Sequence, residues 1–194
     1  MPEYTGRVTS ESSRAHDEAH DGGAPVVAPA ERTAVTDRVE AWLRERGAPF
    51  RIFGHAPVRT SEEAARVRGT PLEAGAKALV VQADEWPVQV VLPASLKVDN
   101  ARLRAVLGVR RLRFATPEEL LRLTDCRPGA VPPFGNLFGL PVFLDERLTS
   151  PEEVAFNAGS DTVSITMRSA DLVRLSEARV CRITQIEPRV ATSS

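Results

Sequence analysis

In a chain of 194 residues the rare reactive side chains are three histidines, two cysteines and two lysines. His16 and His20 stand four apart, the spacing of a zinc-binding helix. Asp17, however, holds the place where such a helix carries its general-base glutamate. The sequence around them has no pattern that would fix ligand geometry, so no metal site is expected. Cys126 and Cys181 form no C-x-x-C pair, which rules out a disulfide scaffold or a cysteine-built zinc site on count. Cys126 is a candidate nucleophile with His55 as its available imidazole. The bland alternative for such a cysteine is a small packed hydrophobe.

Lysine is the sharper signal. Lys77 and Lys97 are the only lysines beside 23 arginines. A generic surface cation in this chain is an arginine, so a lysine that persists suggests use of its compact ammonium. Lys77 interrupts the apolar run Gly75-Ala76-Lys77-Ala78-Leu79-Val80-Val81. A cation there is costly to bury unless it is paired or faces a site; the other reading is an edge lysine in water. The stretch Asp125–Gly135 brackets two adjacent prolines, Pro132 and Pro133, with Gly129 and Gly135. Glycine lets backbone N–H groups approach a ligand and proline freezes the loop around them. Frozen amides suit a carbonyl oxygen or oxyanion, although a rigid connector has the same composition. Arg102, Arg104, Arg110, Arg111 and Arg113 either track a phosphate backbone or form a solvated face and strand end.

The elements that must position these residues follow from periodicity and caps. Val35, Val39, Trp42 and Leu43 recur at helical spacing up to Gly47. Phe50–Phe53 reads as a short strand. Thr60 to Glu63 is a capping box opening a helix to Gly69, and Thr116 to Glu119 is a second with proline at the first helical position. Ala76–Ala83 and Val88–Leu92 are paired strands, and Asp99 caps a helix ending at Gly108. Arg111–Phe114, Val142–Leu144, Val154–Asn157, Val163–Met167 and Val180–Ile186 read as strands, with a short helix at Asp171–Leu175. Strands and short helices alternate without a regular βαβ rhythm, which predicts a mixed-sheet α/β domain.

Residues 1–33 carry Ser, Gly and Pro, a net charge of −3 and no core-facing stripe, and read as a disordered, dispensable tail. One domain is expected over 34–187, with a flexible end at 188–194. Lys+Arg number 25 against 26 Asp+Glu, so no global positive field exists to hold duplex DNA. No apolar run approaches a membrane span and no secretory signal opens the chain, so cytoplasm is the default compartment.

The order His55…Thr60…Glu63-Ala64-Ala65, Gly75-Ala76-Lys77-Ala78-Leu79-Val80, Leu96-Lys97-Val98-Asp99, Gly129-x-x-x-Pro133 and Phe156-Asn157-Ala158-Gly159 resembles the YbaK/prolyl-tRNA synthetase editing-domain family, and most closely its YeaK-like branch. The resemblance covers roughly residues 34–186. It implies a single domain with a mixed, partly closed β-sheet flanked by short helices. It also implies a freestanding hydrolase that deacylates mischarged aminoacyl-tRNA, one carrying a small amino acid, without cofactor or metal. In that reading Lys77 and Gly129 are the catalytic residues, Lys77 on a phosphate or ester oxygen and Gly129 through its loop amides. His55, Ala130, Val131, Pro133, Asn157 and Gly159 surround the substrate, with His55 near the pocket mouth. The implied partners are the terminal adenosine and aminoacyl group of tRNA and an aminoacyl-tRNA synthetase, with neither duplex DNA nor membrane. The alternative is a catalytically silent module that uses the same pocket to hold an amino acid, a nucleotide or a partner protein.

Overall fold

The computed structural model describes residues 31–58 and 60–185. The expectations for residues 1–30 and 186–194, and with them His16 and His20, lie outside the described residues. Among the described residues there are five α-helices: α1 (Ala34–Glu45), α2 (Ser61–Arg68), α3 (Asn100–Leu107), α4 (Pro117–Thr124) and α5 (Ser169–Ser176). The strands are β1 (Phe50–Gly54), β2 (Ala76–Ala83), β3 (Trp86–Pro93), β4 (Leu112–Phe114), β5 (Val142–Asp145), β6 (Glu153–Asn157), β7 (Val163–Arg168) and β8 (Arg179–Cys181).

The mixed-sheet architecture is resolved into two hydrogen-bonded sheets. Strands β4-β2-β3-β5-β8 make one and β1-β7-β6 the other. In the larger sheet β2 runs antiparallel to β3 and β4, while β5 is parallel to both β3 and β8. A parallel bridge, Gly75 to Ala155, joins the sheets where β2 begins and β6 passes. Carrying that register two residues further sets Lys77 level with Asn157.

Binary patterning explains the layers. Along β2, Ala76, Ala78 and Val80 enter the main core, which also takes Val35, Val39 and Leu43 of α1. Leu79, Val81 and Ala83 point the other way, into a second cluster with Val90, Leu92 and Leu103. Lys77 shares that second parity and stands at the strand's start, half-buried. Both capping boxes form, at Thr60 and Thr116, and Asp99 caps α3, which ends at Gly108.

Most element ends shift by one or two residues from expectation, and two boundaries differ with consequences for the fold. Thr33, assigned to the tail by composition, is the N-cap of α1 in a capping box with Thr36, and its hydroxyl donates to Gly159 O at 3.0 Å. Glu31 N also donates to Thr162 Oγ1 at 2.9 Å, so the fold includes residues 31–33. At the other end β8 stops at Cys181 rather than running to residue 186. Buried Asp145 takes over there, accepting from Ile183 N, Thr184 N and Thr184 Oγ1 at 2.9–3.0 Å.

Candidate active site

Helix α2 delivers one wall of the site. Its capping box fixes the first turn, and Gly69 closes it in the left-handed region at φ +64°. Arg68 is therefore the last helical residue, and its side chain crosses to the smaller sheet. Nε donates to Ser164 Oγ at 3.0 Å and Nη2 to Asn157 Oδ1 at 2.7 Å. Asn157 Nδ2 in turn donates to Gly129 O at 2.8 Å. Asn157 is thus a strut between the Arg68 guanidinium and the Gly-Pro loop, with both ends of its amide engaged.

That loop is rigid for visible reasons. Phe134 is fully buried, 5.0 Å from the Trp42 ring and 5.5 Å from that of Phe156. Gln89 Nε2, buried on β3, donates to Pro132 O at 3.0 Å. Gly135 lies so close to Gln89, Leu140 and Val142 that a Cβ there would meet atoms at 2.9 Å. Gly129 sits exposed at the loop's turn with φ +86°, a conformation that strains any L side chain. Ala130 N closes that turn on Arg127 O, and the amides of Gly129 and Val131 donate to no acceptor among the described residues.

A cavity of about 240 Å³ forms between these pieces. Arg68, Lys77, Gly129, Val131 and Asn157 line it, with Val58, Ala64, Ala78 and Leu79 as apolar wall, and no described lining residue is acidic. Lys77 Nζ donates to Ala94 O at 2.9 Å. Burial, and then the nearby charge of Lys97, lower the Lys77 pKa below its ordinary value. Burial alone pushes Arg68 down to about 10, which leaves it charged at neutral pH.

His55 lies behind this wall rather than at a pocket mouth; it is 3% exposed. Its Nδ1 meets Ala56 O at 2.8 Å, and a carbonyl only accepts, so the proton is on Nδ1. Nε2 lies 2.7 Å from Ser164 Oγ and, in the neutral ring, accepts from it. The Ser164 hydroxyl has one proton to give. The 2.7 Å contact to His55 takes precedence over the 3.3 Å contact to Asn157 Oδ1. Burial lowers the His55 pKa below 6.5, with the Arg68 charge acting in the same sense against the Ala56 carbonyl and Asp161.

Of the residues singled out in the sequence, Lys77, Gly129, Val131 and Asn157 meet at one cavity. His55, Ala130, Pro133 and Gly159 are buried and stand outside its lining. Ala130 O accepts from Gly159 N at 2.8 Å, and a Cβ on Gly159 would meet Val35 at 2.8 Å, so Gly159 is where the loop, β6 and α1 close together. Arg68 and Ser164 escaped the sequence reading. Cys126 is not a nucleophile: burial pushes its thiol up to about 11, and Sγ donates to Thr124 O. Among the described residues no group of three His, Cys, Asp or Glu converges to hold a metal, and no helix is long and apolar enough to cross a membrane. A larger groove of about 1170 Å³ runs past Thr70, Leu72 and Leu96, with Arg51, Arg147, Glu73, Glu152 and Glu153 also in its lining; it holds none of the expected site residues.

The fold is shared by a known group. Residues 55–175 match the aminoacyl-tRNA editing domain, and the chain belongs to that family. Among its relatives, the multifunctional Ser/Thr-tRNA deacylase ProXp-y of Escherichia coli (strain K12) is 35% identical over 145 residues, covering 72% of this chain and 87% of that one. The proline–tRNA ligase of Thermotoga sp. (strain RQ2) is 33% identical over 92 residues, 47% of this chain and 16% of the ligase. A crystal structure described as a candidate trans-editing enzyme for prolyl-tRNA synthetase superposes with a TM-score of 0.73 at 28% identity, over 80% of this chain and all of that one.

Proposed function

We propose that this protein is a trans-acting aminoacyl-tRNA deacylase that removes a small amino acid, serine or threonine first among them, from mischarged tRNA. The family and the similarity to a Ser/Thr-tRNA deacylase, over 72% of this chain and 87% of that one, support the reaction class. The observation that carries the site is the meeting of Lys77 with the unused Gly129 and Val131 amides at one cavity. Its size of about 240 Å³ supports a small side chain.

An aminoacyl ester is already activated, so a positioned water and a polarised carbonyl suffice. Lys77 holds an oxygen of the tRNA end as a point charge. The loop amides receive the charge that develops on the carbonyl oxygen, a service worth about 10²–10³ in rate for one well-placed donor. Val131 walls the acyl group. Asn157 keeps the loop in register with Arg68, and His55 supports the same wall through Ser164. A prolyl-tRNA synthetase is the natural partner on the evidence of the ligase similarity.

The test is a panel of mischarged tRNAs incubated with the full chain. Small aminoacyl esters should be hydrolysed fastest. Fastest hydrolysis of large aromatic esters overturns the pocket assignment. No hydrolysis of any ester favours the silent binding module.

A further inference from the structure

Among the described residues, the polar side-chain groups left open on the cavity are donors, since the Thr60 hydroxyl, which also lines it, already accepts from Glu63 N. Lys77 spends one of its three N–H bonds on Ala94 O. Arg68 is held along the Nε–Nη2 edge by Ser164 and Asn157. Its Nη1 has no partner among the described residues and is not sealed inside the protein, and the side chain lines the cavity. The neighbouring acceptors are occupied: Gly129 O by Asn157, Asn157 Oδ1 by Arg68, Ala94 O by Lys77. With no acid among the described lining residues, two fixed cations face whatever enters.

That arrangement is mismatched to one part of an ordinary aminoacyl ester. Its α-amine is an ammonium below its usual range of about 7.7–8.0. Beside Lys77 and Arg68 it meets like charge, and no carboxylate among the described lining residues answers it. We infer that the cavity takes aminoacyl esters whose α-nitrogen is uncharged, that Arg68 is the selecting residue, and that N-acylated aminoacyl esters are therefore also substrates. This inference rests on the deacylase reading of the same site. An amide nitrogen carries no charge, and its acyl carbonyl is the acceptor that the free Nη1 edge lacks. The bond chemistry is unchanged. Water adds to the ester carbonyl carbon and the bond to the ribose oxygen breaks. The ribose oxygen leaves with one proton, and the N-acyl amino acid leaves as a carboxylate with the other proton passing to solvent.

The experiment compares seryl-tRNA with N-acetyl-seryl-tRNA on the full chain at about pH 6, where only about one free amine in a hundred is uncharged. Each kcat/KM is divided by the uncatalysed rate of the same ester, because an ammonium group labilises its own ester. The acetylated substrate is expected to lead by about tenfold or more, the amine's protonation setting the scale. Arg68→Gln should bring the ratio near one, and Arg68→Lys, which keeps the charge, should retain the preference. Thermal melts accompany both variants, and the wild-type ratio decides the matter even if they melt early. Hydrolysis of seryl-tRNA without hydrolysis of the acetylated form overturns this inference and leaves the deacylase reading standing. Hydrolysis of neither overturns both. An unchanged ratio in a folded Arg68→Gln removes Arg68 as the selecting residue.

Discussion

Lys77 touches one protein acceptor, Ala94 O at 2.9 Å, and otherwise faces the cavity with Lys97 and Arg68 as like-charged neighbours. An ammonium so placed gains little from the fold itself, and its favourable partner has to come from outside. A guanidinium is planar, wider and needs a matching fork of acceptors, which this wall does not offer. Lys77→Arg should therefore lose nearly as much kcat/KM as Lys77→Ala, about 10²-fold or more if the charge serves the transition state. Both should melt within a few degrees of wild type. A Lys77→Arg variant with near-normal rate would show that charge alone matters. His55 gives a second residue-scale expectation. Its folded pKa lies below the unfolded 6.5, chiefly through burial. Protons then bind the unfolded state more readily, so stability is full above pH 6.5 and declines as pH falls through that value toward the folded pKa. The Tm of wild type should drop on acidification across this window, and His55→Gln should flatten the slope. A slope of equal size in the variant would assign the acid sensitivity elsewhere. The sequence displayed Lys77 plainly because lysine is rare here. It hid Arg68 because an arginine in the last turn of a helix is ordinary on dipole grounds alone, and only the fold shows its fork closed on Ser164 and Asn157.

At the scale of elements, helix starts were legible where the cap followed the Ser/Thr-x-x-Glu rule, as at Thr60 and Thr116. The start of α1 was not, because its box runs Thr33 to Thr36, with a hydroxyl where that rule expects a carboxylate or amide. The cap matters beyond the helix. Thr33 also bonds Gly159 O, and Gly159, at φ +84°, brings β6 against Val35 and the Thr36 amide with no room for a Cβ. Thr33→Ala should cost about 1 kcal/mol, the usual worth of an N-cap, or about 2–4 °C in a chain of this size. Gly159→Ala should cost more, because its Cβ would meet backbone as well as a side chain and the strained φ adds to the clash. Comparing the two melts tests whether α1 is anchored here. Equal, negligible shifts would mean that α1 is held by its Val35, Val39 and Leu43 stripe alone.

Across the whole molecule, the mixed α/β class, most strand positions and the lysine–loop pair were readable, since each is a local pattern. The way the two sheets meet was not, because it depends on the Gly75–Ala155 bridge between segments 80 residues apart. The meeting of α2, β2, β6 and the Gly129 loop at one cavity depends on that same bridge. Overall charge bears on how such a site finds its RNA. The formal net charge is −1, and the arginine stretch that could have tracked a backbone is partly neutralised within the fold. Arg102 pairs with Asp99 at 3.2 Å and Arg113 with Glu119 at 2.6 Å. Recognition should then rest on a few contacts at the tRNA end. A plot of log kcat/KM against log salt should have a slope of about −1.5 to −2, as two or three phosphate contacts on a single strand give. Duplex DNA should not compete at concentrations that saturate the enzyme with tRNA. A slope of about −5 or steeper, the mark of many phosphate contacts, would instead show that a basic track grips the body of the tRNA. The exposed Arg110 and Arg111, which form no salt bridge among the described residues, would then be the first to replace.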